Sequence, residues 1–379
     1  MARIVCPSLS SHLSIDLGAI RSNYRALAER VAPAQCAAVV KADAYGLGVD
    51  KVAPALLREG CSTFFVAQLC EAVELCDTIG FGSTIFILNG LDPGCEEICA
   101  TWNFVPVLNS MSQVERWRAT AETAGRPLPA ALQVDSGMSR LGLGPDAVRA
   151  LTEDPDFARA ISLRLIMTHL ACADEPGHGA NGDQLVRFQS DRGLFPHVPA
   201  SIANSGGAFL PAFAFDIVRP GVALYGVSPG PGADGITPVV RLDVRVLQIR
   251  KVPAGAGVGY GHDYVAPGPR RLATLGIGYA DGWPRSLGGT GAAWLDGQRL
   301  PIVGRVSMDS MTVDISALRV DALAEGDFVE LLGPSQSLDD VARDAGTIAY
   351  EILTRLGRRH QRAYVEGSET EIITPGERR

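Results

Sequence analysis

Between Ala37 and Pro220 the chain repeats one phrase eight times: a short apolar or β-branched run, then a polar, helix-compatible stretch of about ten to twenty residues. The runs are AAVVKA from Ala37, TFFVAQ from Thr63, TIFILN from Thr84, FVPVLN from Phe104, AALQVD from Ala130, SLRLIMTHL from Ser162, PASIANS from Pro199 and FDIVRP from Phe215. They are apolar throughout rather than alternating, the pattern of parallel strands buried on both faces. Eight βα units in that length predict a (β/α)8 TIM barrel. A doubly wound open sheet is the alternative, but no run leads into the G-x-G-x-x-G turn of a dinucleotide site.

At 379 residues the chain exceeds one hydrophobic core, and a second domain is expected. After Pro238 the texture changes to period-two strands with little helix between them: VVRLDVRVLQIRKV, ATLGIGYADG, AAWLDGQRLPIVGRVSMDSMTVDI and DFVELLG. The expected division is a barrel over residues 1–238 and a mostly β domain over 239–379, the first ten or so residues being able to pack with the latter. One helix is predicted from Ser337 to Arg358, with Asp339 and Asp340 in its first turn and Arg355 and Arg358 in its last, leading into a final strand RAYVEG.

A net charge of −8 without basic clusters offers no footprint for nucleic acid or an anionic membrane, so a small-molecule substrate is expected. The N-terminal stretch lacks the charged and apolar regions of a secretion signal, and no apolar run approaches the ~20 residues of a membrane span. A cytoplasmic location follows as the expectation. Cys6, Cys36, Cys61, Cys70, Cys76, Cys95, Cys99 and Cys172 form no C-x-x-C pair and are read as free thiols. Cys95 and Cys99, four apart, read as small buried side chains rather than a metal or redox pair, and no metal is expected.

On a barrel of this kind the chemistry sits at the carboxyl ends of the strands. Lys41 ends the first run, Arg140 follows the fifth, His169 ends the sixth, Asn204 and Ser205 end the seventh, and Arg219 ends the eighth. Lys41 closes a very apolar run, where desolvation favours the neutral, nucleophilic amine. For an isolated lysine, snorkelling out of a strand end is the commoner account. Tyr45, a hydroxyl donor, and Gly46 and Gly48, which allow close backbone approach, favour the reactive reading. Loops after strands seven and eight often cradle phosphate, and here they read NSGGAF and RPGVALYG, with Ser205, Gly221 and Val222 able to donate.

The strings VVKADAYGLG, VDSGMSRLG, THLACADE, IANS, VRPGVALYG, IGYADGW, IVGRVSMDSM and TIAYEILTRLGRR resemble, in order and over nearly the whole chain, the motif series of the alanine racemase family. The resemblance implies a pyridoxal 5'-phosphate (PLP) barrel followed by a β-rich domain, assembled as a homodimer whose sites are completed by the partner subunit. It implies interconversion of L- and D-alanine by two bases, Lys41 and, from the partner, Tyr279, with D-alanine supplied to peptidoglycan. Two opposed bases suit racemisation, since one face loses the α-proton and the other regains it. Tyr45, Asn204, Ser205, Gly221, Val222 and Tyr350 resemble residues around the phosphate. Arg219 resembles the donor to the pyridine nitrogen, and His169 its neighbour. Arg140, Met138, Met308 and Asp309 resemble residues around the substrate and its entrance.

Two residues before Asp135, where many family members carry a lysine, often carbamylated, stands Gln133. A neutral amide cannot supply the negative charge that holds the neighbouring arginine. One hydrogen bond from Arg140 to Gln133 is expected instead, with altered substrate affinity and retained activity. Three rival functions remain: a racemase of broader scope acting also on serine, an enzyme of the same fold and cofactor that decarboxylates or cleaves amino acids, and a PLP-binding protein without turnover. Arg219 speaks against decarboxylation, and the second domain with Tyr279 against the third.

Overall fold

Strand order and closure of the sheet follow from which backbone groups find partners. The computed structural model describes residues 10–367 and 369–373. The chain divides into two units, Ile20–Thr237 and the described residues up to Ala19 with those from Pro238 onward.

In the first unit the first strand runs in two pieces, Gln35–Cys36 and Ala38–Val39, followed by Thr63–Val66, Thr84–Ile87, Val105–Leu108, Leu128–Gln133, Ile161–Met167, Ala200–Ser201 and Ile217–Val218. The first seven pair in sequence order, each parallel to the next. The seventh reaches the eighth through Asp216 N–H to Ala200 O and Arg219 N–H to Ala203 O, both 3.0 Å. The eighth pairs in parallel with the first, Ile217 opposite Gln35 and Val218 opposite Cys36. Ala37 N–H to Val218 O and Val39 N–H to Pro220 O, both 2.9 Å, extend that seam. The result is the expected (β/α)8 barrel. Phe64, Phe65, Val66, Val107, Leu132 and Ile166 are fully or almost fully buried, as two-faced burial of these strands demands.

The helical layer departs from strict alternation. Glycines and Pro211 in NSGGAFLPAF leave only 3-10 turns, Gly207–Phe209 and Pro211–Phe213, after the seventh strand. After the eighth there is one more, Val222–Tyr225. The helix Leu17–Val31, which precedes the first strand, lies along this seam instead: Tyr24 Oη donates to Cys36 O at 3.0 Å, and Asn23 Nδ2 donates to Leu224 O at 3.2 Å.

The second unit is built on the long strand Val240–Val252. It pairs antiparallel with Ser11–Asp16, Phe328–Leu332 and Arg270–Leu275, changing partner across a bulge between Val246 and Gln248. Ser11–Asp16 also pairs in parallel with Gln361–Glu366, so the strand that comes first in the chain belongs to this sheet. The single helix expected from Ser337 to Arg358 is two, Leu338–Ala345 and Ala349–Arg355. Gly346 at φ +71° ends the first by taking the left-handed conformation that caps helices. A further strand, Glu369–Ile373, pairs with Gln361–Glu366 and was not expected. The seven described cysteines are free, and Cys6 lies outside the described residues. Among the described residues no helix is long and apolar enough to cross a membrane.

His360 is buried in this unit and joins the first strand to the loop after Arg270–Leu275: its Nδ1 accepts from Ser11 Oγ at 2.7 Å, and its Nε2 donates to Asp281 O at 2.9 Å. The bond at Nδ1 requires the neutral ring, and burial first of all pushes its pKa down to about 4, against the Asp281 carbonyl, whose bond favours the charged ring. The unfolded chain, with the ordinary histidine value near 6.5, binds that proton more readily. Stability is therefore lost as pH falls from about 6.5 toward 4, by on the order of 3 kcal/mol once the ring is charged. In denaturant titrations at pH 7.5 and 5, the wild type should lose more stability between the two than His360→Gln does. Equal losses would assign the acid sensitivity elsewhere.

Candidate active site

Lys41 stands immediately past the first barrel strand and is half-buried. Burial, and then the Arg140 guanidinium, push its amine pKa below the usual lysine value, while Glu71 pulls the other way. The four residues after it have left-handed backbones, with φ of +55° at Ala42, Asp43 and Tyr45 and +53° at Ala44. Each costs about 1–2 kcal/mol for an L-residue. Non-glycine strain of this kind is kept only where the surroundings over-determine it.

Arg219 arrives from the eighth strand, the neighbour of the first. It is 3% exposed, and its guanidinium donates to Thr168 O at 2.7 Å, to Ser201 Oγ, and at 3.5 Å to His169 Nδ1. Among the described residues no carboxylate pairs with it. Burial pushes its pKa to about 9, which still leaves it charged at neutral pH. Because a guanidinium only donates, His169 Nδ1 must accept and Nε2 must carry the ring proton. Burial, then Arg219, Arg140 and Lys41, push the His169 pKa to about 3, so the ring is neutral.

The loops expected to cradle phosphate lie side by side. Ser205 Oγ, buried, accepts from Gly221 N–H at 2.9 Å and Ala223 N–H at 3.3 Å, which leaves its hydroxyl proton to donate. The Gly221 amide is thus engaged by Ser205, whereas Val222 opens a 3-10 turn whose first amide has no acceptor within the turn. A side chain at Gly221 would sit 2.3 Å from Tyr45 Oη, and one at Gly206 would sit 2.6 Å from Ala173 O. Both glycines are therefore required by close approach. Asn204 Oδ1 accepts from Gly207 N–H at 3.0 Å and shapes the turn.

The loop after the fifth strand is organised by Asp135, whose Oδ1 accepts from Gly137, Met138 and Ser139 N–H at 2.9, 3.0 and 3.1 Å. The Met138 amide is therefore engaged within its own loop. Arg140 is exposed and close enough to depress both Lys41 and His169. The hydrogen bond expected between Arg140 and Gln133 is not made: Gln133, 7% exposed, has no side-chain partner among the described residues. An uncharged amide gives the guanidinium too little to offset the loss of its water.

The remaining candidates lie in the second unit. Tyr279 opens a 3-10 turn, Tyr279–Asp281, locked to the SMDS loop by Tyr279 N–H to Ser307 O and Ala280 N–H to Met308 O, both 3.0 Å. Arg359 spans the same two pieces, 3.2 Å from the Asp281 carboxylate and 2.7 Å from that of Asp309. Met308 is 53% exposed, and Tyr350 stands on the helix Ala349–Arg355. A cavity of about 310 Å³ is lined by Tyr279, Arg285, Arg305, Val306, Ser307 and a tyrosine that sequence reasoning missed, Tyr260. Tyr260 is 72% exposed, against 45% for Tyr279. It sits between Gly259 and Gly261, at φ +71° and +75°, and two residues before His262 at φ +50°. The string GVGYGHDY was the available signal, since glycines on both sides of an aromatic mark a backbone bent to present it.

An amine whose pKa is pushed down, a buried guanidinium with no carboxylate and two hydroxyl-and-amide loops at one barrel mouth, with a separate β domain carrying exposed tyrosines, point to a class: barrel enzymes that hold an anionic, ring-bearing cofactor against a lysine. Residues 15–229 match the family model for the alanine racemase N-terminal domain, and residues 239–364 match that for the C-terminal domain. The chain is 54% identical over 357 residues to a catabolic alanine racemase of Mesorhizobium japonicum, covering 94% of this chain and 93% of that one. It is 50% identical over 368 residues to the alanine racemase of Brucella abortus, covering 93% of each. Among solved structures, alanine racemase of Bartonella henselae with covalently bound pyridoxal phosphate superposes with a TM-score of 0.91 at 44% identity, covering 95% of this chain and 100% of that one. The chain belongs to the alanine racemase family.

A buried charge without a counter-charge is a liability to the cofactor-free fold. Arg219→Met should raise the unfolding free energy of that form by about 1–3 kcal/mol in denaturant titration. A fall of similar size would show that the guanidinium is a structural element first.

Proposed function

We propose that the chain is a PLP-dependent alanine racemase that uses Lys41 and a tyrosine of the partner subunit in a homodimer. The observation that carries this is the buried Arg219 guanidinium, which lacks a carboxylate and sits one strand away from a lysine whose amine is pushed toward neutrality. That donor set fits PLP. Arg219 suits the ring nitrogen, Ser205 and the Val222 amide suit the phosphate, Tyr45 borders the same glycine, and Lys41 suits the covalent link. When bound, PLP supplies a conjugated ring that takes up the electron pair left as the α-proton departs.

The protein's own work is proton handling and positioning. Lys41 Nζ would act as the base that removes or returns the α-proton on one face. Arg219 donates a hydrogen bond but keeps its proton, so the ring nitrogen gains no full charge there, which limits side reactions and disfavours decarboxylation. His169, neutral, accepts from Arg219 and helps fix it. Arg140 supplies positive charge for the substrate carboxylate, and the Met308 amide of the partner subunit offers it a hydrogen bond.

Resemblance put Tyr279 on the opposite face. Tyr260 shares its cavity, is the more exposed, and is presented by the strained GYGH turn, which Asp263 clamps to Arg305. These features favour Tyr260 as the second base, with Tyr279 as its neighbour in the wall. Tyr350 narrows the entrance and favours alanine. Serine is the second reading, because a pocket rejects an added hydroxyl only weakly. A cytoplasmic supply of D-alanine for peptidoglycan fits a reaction that runs in both directions. Use of D-alanine in catabolism is the alternative that the relatives from Mesorhizobium japonicum and Agrobacterium fabrum bring forward by name.

Incubation of the holoenzyme with L-alanine in heavy water should give inversion with α-deuterium uptake, and much less of both with L-serine. Bound PLP without exchange would overturn the racemase reading. Tyr260→Phe should cut the turnover from L-alanine by at least about 100-fold, with a smaller effect of Tyr279→Phe. The reverse order would return the role to Tyr279.

A further inference from the structure

Four consecutive L-residues do not hold a left-handed turn unaided, and here, besides backbone bonds such as Ala44 N–H to Val40 O and Gly46 N–H to Ala42 O, a side chain outside the turn restrains it. Glu71 is the third residue of the helix Leu69–Ile79, at the carboxyl end of the second barrel strand. Its Oε1 accepts from Ala42 N–H at 2.7 Å, and its Oε2 accepts from Ala67 N–H at 2.6 Å and Gln68 N–H at 3.1 Å. One carboxylate thus rivets the turn that begins at Lys41 to the loop following the neighbouring strand. A smaller clamp inside the segment, Asp43 Oδ1 accepting from Val49 N–H at 2.7 Å, closes its far end.

We propose that Glu71 is a positioning residue for Lys41: by holding residues 42–45 left-handed it fixes the direction from which the Lys41 amine enters the barrel mouth. Without this anchor the Ala42 amide loses its acceptor, the peptide that follows Lys41 rotates more readily toward the right-handed region, and the amine moves with it. The inference rests on the role of Lys41 proposed above. Glu71 is also the acid that acts on the Lys41 amine through charge, so the alternative to positioning is electrostatic tuning.

Glycine separates the two. Ala42 is exposed, and glycine there adopts positive φ without penalty. Four holoenzymes should be compared, Glu71→Ala, Glu71→Gln, Ala42→Gly and the double variant Glu71→Ala/Ala42→Gly, by steady-state kinetics and by hydrogen exchange over residues 42–49. Glu71→Ala should lower kcat about 10- to 100-fold with KM changed much less, and speed exchange in the segment. Ala42→Gly alone should leave kcat unchanged, and in the double variant it should restore most of the lost turnover. If Glu71→Ala does not fold, Glu71→Gln, which keeps one acceptor oxygen, should show the same losses in milder form, again relieved by Ala42→Gly. A loss that Ala42→Gly does not relieve, with a displaced pH–rate profile, would make Glu71 a charge partner and overturn the proposal. Unchanged kcat despite faster exchange would also overturn it. If the wild type does not racemise alanine, the functional reading fails separately, and exchange over residues 42–49 still reports whether Glu71 holds the turn.

Discussion

Parallel pairing of the eighth barrel strand with the first is the contact on which the site depends. The bonds from Gln35, Ala37 and Val39 N–H to Asp216, Val218 and Pro220 O, each 2.9 Å, join segments about 180 residues apart. They bring the end that carries Lys41 beside the end that carries Arg219. The same seam brings Tyr45 against Gly221, and Tyr225 Oη to Val39 O at 2.9 Å. Each piece of these strands, Gln35–Cys36, Ala38–Val39 and Ile217–Val218, has only two residues in regular geometry, so the seam is held as much by flanking groups as by the ladder. The helix Leu17–Val31 supplies some of them, standing where a helix after the eighth strand would otherwise lie.

At the mouth the chain breaks rules it obeys elsewhere. Many buried polar groups elsewhere in the barrel are paired within the fold, as Ser201 Oγ is to Ile217 O and Trp117 Nε1 to Pro129 O, although Asn109 Oδ1 and Asn181 Oδ1 are not. Among the described residues Arg219 has no counter-ion and the Gln133 side chain no bond, and Ala42 to Tyr45 hold a conformation that costs each of them energy. Local rules that fail together in one place mark a site built for a ligand rather than for the stability of the empty chain.

The barrel was legible because parallel strands buried on both faces leave continuous apolar runs, and each of the eight runs overlaps an observed strand, though Gln35–Cys36 lies before the first. What closes it was not, since Ile217–Val218 finds its partner through long-range geometry that no local period encodes. Ser11–Asp16 alternates like a half-buried strand, yet only tertiary contacts decide that it joins Val240–Val252. Gly346 split one expected helix because its left-handed cap outweighed an amphipathic pattern that runs on past it. At the site, Lys41, Arg219, Ser205 and His169 stood out through their register with strand ends. Tyr260 did not, because the glycines around it read as an ordinary turn until its exposure and the cavity it shares with Tyr279 are seen. Gln133 was noticed for the charge it lacks, but its failure to bond Arg140 depends on side-chain placement that spacing does not determine.

Charge at the mouth gives the last step. Lys41, Arg140 and Arg219 act together on His169, all three in the direction of neutrality, in a chain whose net charge is −8. The one acid acting on Lys41, Glu71, already accepts three backbone amides and has little capacity left to compensate them. A local excess of positive charge inside an acidic protein is costly when empty and favourable when an anion enters, because the ligand brings the counter-charge that the sequence withholds. A phosphate and a carboxylate together would meet that need. The same field keeps His169 uncharged and able to accept from Arg219, so the electrostatics that draw the ligand in also hold the guanidinium ready for it.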